Sequence, residues 1–236
     1  MGNGGIMRGT FNIVNADTDS IAISRKDGTF ISMEDRQKIL DELNSMFNSQ
    51  IRFEDDGYYK KVIVVKSKNY ILDGEKLTIK GSALKATMKE KALQAYIKEV
   101  IALLLSDKKE QLLEHYMKYV NQICTINDIT NWCSKKTITK SVLNGTRSNE
   151  TRVMDAVEGI EGLQEGDKVY VFFETQEKIT ELSSFKGIYS RKKLLDKLFK
   201  TIKIFDNIID VKQFPNYALK ANQKKLLEQG LLFEIE

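Results

Sequence analysis

The sequence predicts an α+β fold in two parts, and three observations predict it. In the first part, short β-prone runs surround one helical stretch. In the second part, apolar residues recur three and four positions apart over long stretches, the period of helices packed on a core. The chain of 236 residues is 42% hydrophobic and 30% charged, enough for one sizeable core or two modest ones. The texture changes between Leu84 and Met88. That divides the chain into residues 1–86, an antiparallel sheet with a helix, and residues 87–236, a larger and mostly helical piece.

Element by element, Thr10 to Val14 and Ile21 to Ser24 read as a hairpin around the acidic tip Asn15-Ala-Asp-Thr-Asp19. Ser32 can cap a helix, with Asp35 at the capping-box position, and Ile39, Leu40, Leu43, Met46 and Phe47 form its apolar face. Ile51 to Phe53 and Lys61 to Lys66 follow as strands. Asn69 to Leu72 and Leu77 to Lys80 flank the turn signal Asp73-Gly74. Helical spacing then covers Met88 to Leu105 and Gln111 to Cys124, with Asp107 placed to cap the second. Trp132 to Thr139 and Lys168 to Phe173 read as strands. Arg191 to Ile209 and Tyr217 to Gln229 read as helices broken at Phe214-Pro215. No internal repeat or low-complexity segment interrupts them.

Composition excludes several classes of function. One Pro rules out collagen-like and Pro-rich chains. Two Cys cannot build a disulfide framework or a four-Cys zinc site, and a reducing, cytoplasmic setting fits best. The one His, His115, leaves no triad and no His-rich zinc site and reads as structural. Cys124, Cys133 and Trp132 read as core residues. Any metal site must therefore be built from carboxylates, which points to Mg²⁺. The net charge of +4 says little by itself about a polyanionic partner. Val100 to Leu105 is apolar but is soon followed by Asp107-Lys108-Lys109, so no membrane partner is expected. Met1 to Met7 has neither the basic nor the apolar region of a signal peptide.

The acidic tip carries the chemistry. Asp17 and Asp19 stand two apart, and strand alternation would send both to one side. Two carboxylates about 4 Å apart repel by up to ~4 kcal/mol at an effective dielectric of about 20. A divalent cation removes that penalty, and paired metals stabilise in-line phosphoryl displacement. The plain alternative is a polar turn in which Asp and Ser are Asx-type turn residues.

Asn15-Ala-Asp-Thr-Asp-Ser-Ile21 resembles motif C of the family B DNA polymerases, usually Tyr-Gly-Asp-Thr-Asp-Ser; the differences fall on the flank, not on the carboxylates. Downstream, Lys66-Ser-Lys-Asn-Tyr70 resembles that family's Lys-Lys-Arg-Tyr palm motif, with Ser67 and Asn69 where Lys and Arg are usual. Lys80-Gly81 matches the Lys-Gly pair that follows it. The resemblance implies that Asp19 ligates both catalytic Mg²⁺ ions and that Asp17 is its acidic neighbour in the metal site. It implies that Asp56 is an accessory acid, with Glu54 and Asp55 competing for that alignment. It further implies that Lys68 contacts the primer-terminal phosphate and that Tyr70 and Lys80 belong to the same primer-binding segment. The fold it implies is a partial polymerase palm followed by a thumb.

Two motifs of that family are absent. No Asp-Ser-Leu-Tyr-Pro occurs, since Pro215 is the only Pro, and no Lys-x-x-x-Asn-Ser-x-Tyr-Gly occurs. The expectation is a C-terminal portion of a DNA-directed DNA polymerase, phage-like, and either one half of a split polymerase or a fragment of a longer one. It would need a companion chain carrying motifs A and B before it could use primer–template DNA and deoxynucleoside triphosphates. The alternatives are a catalytically silent nucleic-acid-binding module and a replication adaptor.

In the second piece, Lys135-Lys-Thr-Ile-Thr-Lys140-Ser and Glu165-Gly-Asp-Lys-Val-Tyr-Val-Phe172 resemble thumb segments of the family. Lys135, Lys136, Lys140, Arg147 and Arg152 form a basic run suited to duplex phosphates, or else a solvated surface. Arg191, Lys192, Lys193, Lys197, Lys200 and Lys203 read as the solvated face of a core helix. The tail Gln229-Gly-Leu-Leu-Phe233 resembles peptides that bind sliding clamps, with Gln229, Leu232 and Phe233 as its anchors; the alternative is a helix end docked on its own domain.

Overall fold

The computed structural model describes residues 9–17, 19–82, 84, 89–144, 148–219 and 222. The chain forms two compact units, Met1–Lys80 and Gly81–Glu236.

In the first unit, β1 (Phe11–Asp17) and β2 (Ser20–Arg25) form an antiparallel hairpin whose last pair is Asp17 opposite Ser20. A bulge between Ile13 and Asn15 shifts the register. The strands run closer to the tip than the sequence suggested, to Asp17 and from Ser20. Helix α1 (Met33–Ser45) starts as expected: the Ser32 hydroxyl accepts from the Asp35 N–H at 3.1 Å. The Asp35 carboxylate turns to Arg25 at 2.6 Å and so ties β2 to α1. The Ser32 contact and Arg25 together hold the Asp35 carboxyl below its ordinary pKa. Strands β3 (Lys61–Lys66), β4 (Asn69–Asp73) and β5 (Leu77–Lys80) make an antiparallel meander, with Val65 and Ile71 fully buried.

Two expectations fail in this unit. Ile51 to Phe53 is not a strand. Asn44, at the end of α1, takes the place of a ladder partner: its Oδ1 accepts from the Phe53 N–H at 2.7 Å, and its Nδ2 donates to the Phe53 carbonyl at 3.0 Å. The apolar face of α1 is also shorter than predicted. The helix ends at Ser45, so Met46 and Phe47 lie past its last turn and stay exposed, Phe47 leaning on the Phe53 ring at 5.3 Å.

The second unit is built on three helices. These are α2 (Lys91–Leu105), α3 (Leu112–Cys124) and α6 (Arg191–Lys203), each packed on the other two. Their stripes bury Tyr96, Ile97 and Val100, then Tyr116, Val120 and Ile123, then Leu195, Leu198 and Ile202. A smaller sheet, β6 (Ser134–Thr137), β7 (Lys168–Phe173) and β8 (Ile179–Glu181), carries α4 (Lys140–Leu143) and α5 (Ser148–Val157). Ile138, Val142, Val153, Val157, Val169 and Val171 form a core of their own there.

Asp107 closes the helix before it instead of opening the next. It adopts the left-handed conformation, φ 57°, and the Lys108 N–H reaches back to the Leu103 carbonyl at 2.9 Å. Trp132 is in a tight turn, Thr130–Trp132, so β6 starts only at Ser134. The chain after Lys203 leaves the helix because Phe205 is drawn wholly into the core, and the N–H groups of Ile208 and Ile209 bond back to its carbonyl. Of the last predicted helix, Tyr217 to Leu219 form a buried-sided turn; Gln229, Leu232 and Phe233 lie outside the described residues. His115 is structural as read, stacked on Tyr96 at 5.4 Å with Nε2 3.0 Å from Glu99. Both cysteines are buried, and burial pushes each thiol up to about 12.

Candidate functional site

The β1–β2 tip does not place its carboxylates as two residues of one strand. Asp17 ends β1 and is half-buried; Asp19 is in the turn and exposed. The alternation expected of them therefore applies to Asp17 alone. Ser20 steadies the turn by donating from Oγ to the Asp17 carbonyl at 3.4 Å.

The tight turn between β3 and β4 brings in the second motif. Lys68 takes the left-handed conformation there, φ 59°, uncommon for a residue with a Cβ. The Asn69 side chain folds back to donate to the Ser67 carbonyl at 2.8 Å. So held, Lys68 extends its ammonium to within 3.9 Å of the Asp17 carboxylate. The ammonium end is open, with Lys68 73% exposed, and such a pair contributes at most about 1 kcal/mol. Its weight is positional: two segments some fifty residues apart in sequence meet through these groups. Behind the turn, Tyr70 is opposite Val64 on one side and Lys80 on the other, so Tyr70 and Lys80 share one face of the meander.

The third expected acid is placed differently. Residues 51–59 carry no regular structure, and Asp56 is exposed within them. Its competitor Asp55 is engaged by Arg36 at 3.0 Å. Among the described residues no three His, Cys, Asp or Glu side chains gather where they could hold a metal ion, so Asp17, Asp19 and Asp56 do not form one cluster. Asp17 and Asp19 supply the hard oxygen donors that Mg²⁺ favours, and they stop short of a complete ligand set.

In the second unit, Lys135 and Lys136 alternate on β6 opposite Tyr170 and Val169. Lys135 is exposed and Lys136 half-buried. Burial, then the charges of Lys89 and Lys197, hold the Lys136 ammonium below its usual pKa. Lys140 opens α4, with its ammonium 3.8 Å from Glu165; Arg152 is exposed on α5. Arg147 is outside the described residues.

Sequence reasoning missed one charged cluster. Glu90, 2% exposed at the start of α2, accepts from Ser134 Oγ at 2.5 Å and from the Lys197 ammonium, which also sits 4.9 Å over the Phe173 ring. The signal was present: Lys197 is three residues after Leu194, one before Leu198 and four before Thr201, on the border of the buried stripe and not on the wet face.

No protein-family model matches this sequence, and no curated protein does. In fold, the chain is similar to the family B DNA polymerase from the hyperthermophilic archaeon Pyrobaculum calidifontis. The likeness has a TM-score of 0.60 and 14% sequence identity and covers 86% of this chain. It spans 27% of that polymerase. This α+β chain has the fold of part of a family B DNA polymerase. No helix among the described residues is long and apolar enough to cross a membrane.

Proposed function

We propose that this chain is the C-terminal palm-and-thumb portion of a DNA-directed DNA polymerase. It acts with a companion polypeptide that carries motifs A and B, on primer–template DNA and deoxynucleoside triphosphates. The reaction joined is nucleotidyl transfer, in which a primer 3′-hydroxyl attacks the α-phosphate and pyrophosphate leaves. The observation that carries this reading is the 3.9 Å approach of Lys68 to Asp17, which unites the acidic hairpin with the basic-Tyr segment. The fold likeness supports it from a second side.

Asp19 and Asp17 would hold Mg²⁺ together with acids of the companion chain. When bound, that ion supplies charge stabilisation to the transferring phosphoryl group. The chain's own residues do the positioning. Lys68, exposed at the turn, places a cation beside the acidic tip, where a primer-terminal phosphate would sit. Tyr70 and Lys80 extend that contact along one face of the meander. Lys135, Lys136, Lys140 and Arg152, with Arg147, would grip duplex phosphates without reading bases, as copying of any sequence requires. Asp56 would act as an accessory acid, and the tail with Gln229, Leu232 and Phe233 would bind a sliding clamp. The acid set, short of a metal-binding group among the described residues, favours a second reading for the chain alone, a silent DNA-binding module.

The test is primer extension with and without a chain bearing motifs A and B. The expected result is duplex DNA binding but no extension by the isolated chain, and Mg²⁺-dependent extension by the pair. Robust extension by the isolated chain, or no affinity for duplex DNA, overturns the proposal.

A further inference from the structure

The register of the second unit's sheet sorts its side chains onto two faces, since residues opposite each other in an antiparallel pair share one. Ser134, Lys136, Val169 and Val171 lie on the covered face. Val169 and Val171 belong to the small core, Ser134 bonds to buried Glu90, and Lys136 meets the charges of Lys89, Lys197 and Glu90. Lys135, Thr137, Lys168 and Tyr170 lie on the other face. All four are exposed, Tyr170 at 36%. Phe172 continues this face but is buried, its ring 5.4 Å from that of Phe185, so the open area ends there.

The open area is cationic. Tyr170 stands directly opposite Lys135, and Lys168 is two residues from Tyr170 on the same strand. The acids nearest to Lys168 in sequence have other partners: Glu165 lies 3.8 Å from the Lys140 ammonium, and the Asp167 carboxylate accepts from the Gln164 N–H at 2.8 Å. Among the described residues, Lys135 and Lys168 take part in no ion pair. The strand residues of this face include two lysines, a threonine hydroxyl and an open aromatic ring, and no carboxylate. Charge and hydrogen-bonding capacity thus complement a sugar–phosphate backbone.

We infer that this face tracks the backbone of duplex DNA: Lys135 and Lys168 each hold a phosphate of one strand, and the Tyr170 ring packs on the sugar between them. Diagonal cross-strand neighbours stand roughly 7–8 Å apart, the scale on which successive phosphates follow one another along a strand. The Thr137 hydroxyl, opposite Lys168, donates to the same phosphate as Lys168. No contact of this kind reaches a base edge, so the surface holds every sequence alike. The inference rests on the proposed function, which supplies the duplex.

The experiment acetylates the lysines of the unaltered full chain, with and without a short primer–template duplex of mixed sequence, and reads each site by mass spectrometry. Lys135 and Lys168 are expected to be shielded at least threefold, and Lys118, exposed on α3, to be unaffected. In titrations over a salt series, Lys168→Ala is expected to lower the log–log slope by about one unit. Tyr170→Ala is expected to weaken binding severalfold at an unchanged slope, because the ring neutralises no phosphate. Labelling of the unaltered chain carries the test should a variant fail to fold. Duplex binding that leaves Lys168 unshielded, or an equal loss of slope on Lys118→Ala, overturns the inference and leaves the proposed function standing. Shielding by single strands but not by duplex also overturns it. Shielding by duplex in a chain that supports no primer extension with its companion removes the polymerase reading and leaves the surface.

Discussion

Two lysine–carboxylate pairs, one in each unit, show how setting decides what the same chemistry does. In the first unit the Lys68–Asp17 pair stands 3.9 Å apart, with Lys68 73% exposed. In the second, Lys197 meets a Glu90 carboxylate that is 2% exposed and shared with Ser134. The open pair is within reach of water, and in the proposed function a phosphate would take Lys68 and a cation Asp17. The closed pair is a fixed strut joining α2, α6 and β6. The proposed function rests on the charges that water can reach, and the architecture on those it cannot.

The largest test of that contrast removes one lysine from each pair. Lys197→Ala strands a buried carboxylate and is expected to cost about 3 kcal/mol, read as a lower urea midpoint. Lys68→Ala is expected to change stability by less than about 0.5 kcal/mol. Equal losses from the two changes would erase the distinction.

A smaller contrast compares apolar groups. Ile97, fully buried in α2, is expected to lose about 1 kcal/mol as Ile97→Val. Ile21→Val, at an exposed position, is expected to leave the melting temperature of the isolated chain unchanged. A substantial loss at Ile21 would mean that its face is covered within the chain itself.

The two regions also differed in what the sequence made legible. Periodicity located α2, α3 and α6 because their apolar stripes repeat over several turns and face one core. It failed at Ile51 to Phe53, where the partner of the backbone is the Asn44 side chain, which no period records. At the candidate site, motif likeness named Asp17 and Lys68, and only three dimensions put them together. It read both acids into the tip and did not anticipate that β1 runs on through Asp17 while Asp19 alone stays in the turn. Glu90 was invisible because its partners lie 44 and 107 residues away.

Acid offers a milder probe that should touch the second unit. Burial, with Lys118 adding to it and Glu99 opposing, holds the His115 pKa below its ordinary 6.5. The folded state therefore favours neutral imidazole. Stability from this site is complete above about pH 6.5 and is lost as pH falls below it, because the unfolded chain binds the proton more readily. Melting curves between pH 7.5 and 5.5 should show the loss, and His115→Phe should flatten it.

The smallest expected effect concerns the phosphate contacts proposed for the second unit. Lys135→Ala and Lys140→Ala should each lower the salt dependence of duplex binding by about one unit of log–log slope, for any DNA sequence. No change for either would return these lysines to a merely solvated surface.

The central claim is that the exposed acidic tip, not the buried strut, takes part in phosphoryl chemistry. Single-turnover primer extension by the reconstituted pair tests it, comparing the unaltered chain with Asp19→Ala after thermal melts have shown equal stability. The account predicts a loss on the order of a hundredfold or more in rate with duplex binding retained. Extension at the unaltered rate by Asp19→Ala would contradict it.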